Sequence, residues 1–291
     1  MALRLRWVYL ILIAEQVVAS GTFIAAKWAL VEFEPLTLAF VRFLIAATGL
    51  LVIHLVWPGR RKIDRSDYGR FALLGLMAVV VNQGFFLYGL RFTTPTHSAL
   101  LYGATPVFVF LLAIPLIGER PGFLKISGVL VTVIGVVVIV TGHKLSWADK
   151  EWLGDILILV AVLAWALYTV LGKPMVAKYG AVHVTAISLI VGTAFFAPVG
   201  LLNLGSFHPA AITARGWWSL LYIAIGTSVV CYTIWFWGLG RLEATKVAVF
   251  NNLQPIVTAV LSYWLMGEEL GARLIAGGVL VIFGVILTER G

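Results

Sequence analysis

Several polar side chains stand where a strongly apolar sequence has little reason to carry them. Glu15-Gln16 interrupts one apolar stretch, and Ser20 follows Gln16 by one helical turn, on the same face. Asn82-Gln83 interrupts a second stretch, Tyr102 lies in a third and Asn251-Asn252 in a fourth. Polar groups deep in lipid are costly, so they face a cavity or a partner. Aromatic residues form a second set. Trp165 and Tyr168 are three residues apart, Tyr232 and Trp235 likewise, and Phe86 precedes Trp235 by 149 residues. Rings three apart share a helix face. Such faces can take up a flat apolar molecule by stacking, or a cationic amine lying over a ring. Amides beside rings are the chemistry of reversible binding, and an aromatic amino acid suits both: its ring to Trp and Tyr, its zwitterion to Asn, Gln and backbone groups. Inter-helix hydrogen bonding and ordinary packing remain the alternative uses of the same residues.

Three further features bear on mechanism. Glu15 is the carboxylate that falls deep in a span, which makes it the candidate for proton coupling, with uniport as the alternative. Lys27 is about 18 Å away along a helix and too far to pair with it. Pro106 and Pro255 fall within apolar stretches, where a proline removes a helical hydrogen bond and displaces the carbonyl four residues earlier. Those carbonyls belong to Tyr102 and Asn251, so both prolines are candidate gating kinks. Chemistry of other kinds finds no support. There is no HExxH and no GxSxG, and the five histidines are scattered without metal-ligand spacing. No catalytic residue, metal or cofactor is expected.

The elements that must hold these residues follow from composition. The chain has 291 residues, 61% hydrophobic and 12% charged, against about 25% charged in soluble domains. A soluble fold could not cover its surface with so few polar groups. One cysteine, Cys231, forbids an internal disulfide. Continuous apolar runs such as Val129–Val140 indicate helices, because barrel strands alternate. An all-α membrane protein is expected, with ten spans at 7–29, 35–57, 70–91, 97–118, 122–142, 152–173, 182–203, 217–239, 245–267 and 271–288. Arg4 and Arg6 before a run ending at Gly21 outline a signal peptide, but Glu15-Gln16 breaks that run and apolar character resumes beyond it.

Sliding the sequence against itself by 149 residues aligns Gly89-Leu90 with Gly238-Leu239, Pro106 with Pro255, Gly118-Glu119 with Gly267-Glu268, Gly128 with Gly277 and Gly135 with Gly284. Composition alone does not produce that ordered series. Two repeats are expected, residues 1–146 and 147–291, each of five spans. Five is odd, so the second is inverted relative to the first, as in many secondary transporters with a midplane site between repeats. Polar residues fall at matching depths: Tyr102 with Asn251, Gly103 with Asn252, Thr105 with Gln254. The basic balance, net charge +8, does not point to nucleic acid. Fourteen of the 21 Lys and Arg fall on the side of the termini, which places both termini in the cytoplasm. The glycine pairs 128/135 and 277/284 serve close helix approach, within the bundle or at a dimer face, leaving a monomer or homodimer.

The run Leu87-Tyr88-Gly89-Leu90-Arg91-Phe92-Thr93, then Ala99-Leu100-Leu101, Pro106-Val107-Phe108, Gly118-Glu119-Arg120 and Gly128-x6-Gly135 resembles the EamA-type drug/metabolite transporter superfamily. Ser20–Lys27 is similar to that family's first-span signature, with Ala19 where the family has tryptophan and Thr22 where it has asparagine. Pro35-x6-Arg42-Phe43 also matches. The resemblance implies a metabolite exporter in the bacterial inner membrane, most like exporters of aromatic amino acids. Export of a purine, nucleotide sugar or cationic drug, or a membrane-embedded enzyme, are the alternatives.

Overall fold

The computed structural model describes residues 2–59, 61–120, 122–140, 151–267 and 272–290. The expected repeat boundary at 146/147 lies outside them. All regular structure among the described residues is helical. In lipid a backbone finds no water to bond to, and a helix satisfies its own groups. The helices are α1 (Ala2–Ala29), α2 (Pro35–Val56), α3 (Arg65–Leu90), α4 (Pro95–Ile117), α5 (Phe123–Val140), α6 (Glu151–Tyr179), α7 (Ala181–Asn203), α8 (Ala214–Leu239), α9 (244–266) and α10 (Ala272–Arg290). Seven of them, α1 to α4 and α6 to α8, are long and apolar enough to cross a membrane. The shorter apolar stretches Phe123–Gly135 and Ile275–Thr288 lie in α5 and α10.

Helix starts follow local chemistry. Glu34 caps α2 by accepting from the Leu36 and Thr37 N–H groups at 2.9 and 3.1 Å, with Pro35 in the first position. Thr94 and Thr213 cap α4 and α8 in the same way. Gly118 and Gly267, 149 residues apart, end α4 and α9 in the left-handed region at φ 68° and 73°, where a side chain would be strained. The largest difference from the expected boundaries is at the end of α6. The span ending at 173 continues as helix through Pro174 to Tyr179. Met175, Val176 and Tyr179 are buried, so packing extends the helix past the length that hydropathy alone measures.

Both α3 and α8 contain π-helical stretches, Leu76–Gln83 and Tyr222–Cys231. Each widens the turn and redirects side chains, a distortion frequent at functional sites. The breaks in α4 and α9 also correspond. α4 stops at Tyr102 and resumes at Thr105. α9 passes through a 3₁₀ turn at Phe250–Asn252 before Leu253. Pro106 and Pro255 therefore stand in the first turn of a renewed helix. From the sequence they are expected to kink a continuous helix; here they start one instead, because a first-turn proline gives up an N–H that has no intrahelical acceptor.

Packing builds one bundle. α2 packs on α7 and α5 on α10. α1 lies against α8 and α9, and α6 against α3 and α4. α3 also meets α7, and α8 meets α2. A Cβ on Gly128 would come within 2.7 Å of the Gly284 carbonyl, and one on Gly284 within 2.6 Å of the Gly128 carbonyl, so both glycines are used within the chain. Lys27 donates to the Leu90 and Thr93 carbonyls at 2.9 and 2.6 Å, at the end of α3. Lys173 donates to the Leu239 carbonyl at 3.0 Å and to that of Leu242, at the end of α8. A cation at a helix C-terminus meets its unsatisfied carbonyls. In the α1–α2 loop, Glu32 accepts from the Thr213 N–H at 2.6 Å and its hydroxyl at 2.7 Å. These bonds, with Arg215 nearby, hold the Glu32 carboxyl below its ordinary range.

Candidate functional site

The interruptions converge on one cavity. Its wall is built by Glu15, Ala19, Thr22 and Phe23 of α1, Arg42 of α2, and Asn82, Gln83 and Phe86 of α3. Tyr102 of α4, Trp165 of α6, Thr227, Cys231 and Tyr232 of α8, and Asn251 and Gln254 of α9 complete it. The free space is about 50 Å³, room for a few water molecules.

A hydrogen-bonded chain crosses the cavity floor. Asn82 Nδ2 donates to the Tyr102 hydroxyl at 2.9 Å and to the Ala161 carbonyl at 2.7 Å. Gln83 Nε2 donates to Asn82 Oδ1 and, at 3.1 Å, to the Tyr232 hydroxyl. Gln83 and Tyr232 are 149 residues apart, so positions matched in the sequence meet directly. Arg42 Nη1 donates to Gln83 Oε1 at 2.5 Å, and its Nε to the Ile223 carbonyl and the Ser228 hydroxyl at 3.1 and 2.9 Å. The Thr22 and Thr227 hydroxyls share a bond of 2.6 Å, and Cys231 Sγ donates to the Glu15 carbonyl at 3.6 Å. Fully satisfied amides of this kind fix one another's orientation.

Two aromatic surfaces face this chain. Phe23, Phe86 and Tyr102 pack edge to face with ring centroids 5.5 to 5.7 Å apart. On the other side Trp165 lies 4.9 Å from Tyr232 at an interplanar angle of 36°. Behind Trp165 stand Tyr168 and Trp235, both 5.5 Å from it. Their polar atoms are engaged elsewhere, Tyr168 with Ser188 at 3.1 Å and Trp235 with Thr169 at 3.1 Å.

Of the residues singled out from the sequence, Glu15, Asn82, Gln83, Phe86, Tyr102, Trp165, Tyr232 and Asn251 line the cavity. Gln16, Ser20, Tyr168, Trp235 and Asn252 are buried but do not. Gln16 turns its amide to Glu15 Oε2 at 2.6 Å, and Ser20 donates to the Gln16 carbonyl at 2.6 Å. Arg42 is the main residue not singled out for the site. A lone cation in the middle of an apolar span is a signal available in the sequence, since an unpaired charge there is expensive. Gln254, paired with Thr105 in the repeat, also lines the cavity, while Thr22 and Thr227 carry no such signal.

A family model described as the EamA-like transporter family matches the chain twice, over residues 6–141 and 152–290. The chain belongs to this family. Among EamA-like relatives, an uncharacterized transporter of Archaeoglobus fulgidus is 34% identical over 286 residues, 96% of each chain. Transporter YyaM of Bacillus subtilis, likewise uncharacterized, is 27% identical, covering 96% of this chain and 92% of its own. A probable terminal-alkyne amino-acid exporter of Streptantibioticus cattleyicolor is 28% identical, covering 88% and 82%. One solved structure aligns over 98% of this chain and 97% of its own with a TM-score of 0.77 at 17% identity, a likeness of fold alone. The EamA-like assignment makes the chain a multi-pass membrane transporter with a small-molecule substrate.

Proposed function

We propose that the protein exports small metabolites, aromatic and other apolar amino acids foremost, across the bacterial inner membrane by alternating access, as a carrier and not an enzyme. The observation that carries this reading is the cavity itself. Rings and amides from both halves of the chain surround one space, the pairing that an amino acid with an apolar side chain needs. A relative named as a probable amino-acid exporter supports the same class.

In this reading the chain forms ten transmembrane helices as two inverted five-helix repeats, residues 1–146 and 147–291, with both termini cytoplasmic. The packing supports it: exchanging α1 to α5 for α6 to α10 maps the contacts of α1 with α8 and α9 onto those of α6 with α3 and α4, and the contact of α3 with α7 onto that of α8 with α2. The lysine bonds to the ends of α3 and α8 exchange in the same way. The site comprises Asn82, Gln83, Phe86, Tyr102, Trp165, Tyr232 and Asn251. Gln16, Ser20, Tyr168, Trp235 and Asn252 position those residues from behind. The breaks before Pro106 and Pro255 are the bending points, and Glu15 takes up the coupled proton. The test is uptake of labelled phenylalanine, tyrosine or tryptophan into proteoliposomes. Saturable uptake is expected, accelerated by a pH gradient in the native protein and not in Glu15→Gln. Absence of uptake for all three amino acids contradicts the substrate class, and equal gradient dependence in Glu15→Gln contradicts the coupling role.

A further inference from the structure

We infer that Arg42 is the residue that recognises the carboxylate of the transported solute. This rests on reading the cavity as the substrate site, and it narrows the ligand to organic anions and zwitterions. Arg42 is fully buried and lines the cavity. Its protein partners are all neutral: a carbonyl, a hydroxyl and an amide oxygen. Among the described residues no carboxylate forms an ion pair with it. A buried cation without a counter-charge is the costly arrangement, and an incoming anion removes that cost.

The unsatisfied atoms point the same way. Arg42 Nη2 has no protein acceptor, although the other two guanidinium nitrogens are bonded. Asn251 Nδ2, in the lining of the same cavity, is a second buried donor without an acceptor. Two free donors in one cavity with a fixed positive charge are what a carboxylate takes, because charge-assisted bonds of this type are the strong ones. Gln83 and Ser228 hold the guanidinium plane, so the fork is set before the ligand arrives. Gln254 Oε1 is a free acceptor on the same wall, and Glu15 lines the same cavity. Both suit the ammonium end of a zwitterion.

Three probes of one ring and different heads test this: L-phenylalanine, 3-phenylpropionate, which keeps the carboxylate and lacks the amine, and 2-phenylethylamine, which is the reverse. Binding is read by thermal melting of the purified full-length protein, alongside proteoliposome uptake of phenylalanine. The native protein is expected to be stabilised by both carboxylates, with 2-phenylethylamine weaker. Arg42→Gln is expected to bind both carboxylates at least tenfold more weakly, about the worth of one hydrogen bond to a charged group, and to leave 2-phenylethylamine unchanged. Arg42→Lys keeps the charge without the fork, and should recover part of the carboxylate binding even if Arg42→Gln is poorly folded. A purely structural arginine would shift the melting of the free protein and leave the choice between carboxylate and amine intact, which overturns the assignment. So does a native protein that responds to neither carboxylate, or Arg42-independent binding of 3-phenylpropionate. Arg42-dependent binding of 3-phenylpropionate without phenylalanine uptake sinks the amino-acid reading and leaves Arg42 as the carboxylate residue. Normal phenylalanine uptake by Arg42→Gln does the opposite.

Discussion

Replacing Trp165 separates packing from recognition. The ring is 8% exposed. It touches three others: Tyr232 at 4.9 Å, and Tyr168 and Trp235 at 5.5 Å. Truncating a buried aromatic costs about 3–5 kcal/mol of stability, part of it the ring pairs at about 0.5–1.5 kcal/mol each. Trp165→Ala should therefore melt well below the native protein. A substrate ring that stacks on Trp165 loses a contact of about 1–1.5 kcal/mol, roughly a five- to twelvefold rise in apparent Kd. Trp165→Phe retains a ring and should lose only a few-fold. The assay is counterflow of labelled phenylalanine across a concentration series, with melting measured on the same preparations. Native affinity in Trp165→Ala, whatever its stability, would refute the placement of the substrate ring on this wall. A loss of affinity equal in Trp165→Ala and Trp165→Phe would assign the effect to repacking.

Asn82→Ala takes the donor from the Tyr102 hydroxyl and one acceptor from Gln83 Nε2. Each unsatisfied buried group costs about 1–3 kcal/mol, and uptake should fall with the melting temperature; unchanged uptake refutes a role in the site. Gly128→Val places a Cβ 2.5 Å from the Thr288 backbone nitrogen, so α5 and α10 must separate, at about 1–3 kcal/mol or more. Gly69→Ala, with open space around it, should melt at or above the native temperature; equal effects would refute the packing argument. The Glu32 carboxyl is held below its unfolded-state pKa by Thr213, so its stabilisation is present above that unfolded value and is lost as pH falls through the folded one. Glu32→Gln should flatten melting against pH on the acid side, and an unchanged slope contradicts a stabilising role for the Glu32–Thr213 bonds.

The fold and most of the cavity were legible in the sequence because membrane burial makes polar exceptions conspicuous. Asn82-Gln83 and Asn251 stand out against Val and Leu, and each lines the space. Depth was therefore readable, but direction was not. Helices apolar on all sides carry no facial signal, so Tyr168 and Trp235 could not be told from Trp165 and Tyr232, although they stand one layer back. The π-helical stretches of α3 and α8 add to this, since a widened turn rotates every later side chain away from the regular period. The breaks at Gly103-Ala104 and Phe250–Asn252 turned prolines that look like mid-span kinks into helix starters. Arg42 was legible as a charge within a span, but its bonds to Ile223 and Ser228 of α8 arise only from the tertiary fold.

Cys231 offers the most direct test of the cavity as the substrate site. It is the only cysteine in the chain, it lines the cavity at 2% exposure, and it needs no mutation to serve as a probe. Its alkylation by a small thiol reagent reports how often the space opens. At saturating phenylalanine the labelling rate of the native protein in proteoliposomes should fall several-fold. A rate unchanged by phenylalanine, under conditions where phenylalanine is transported, would place the substrate path elsewhere.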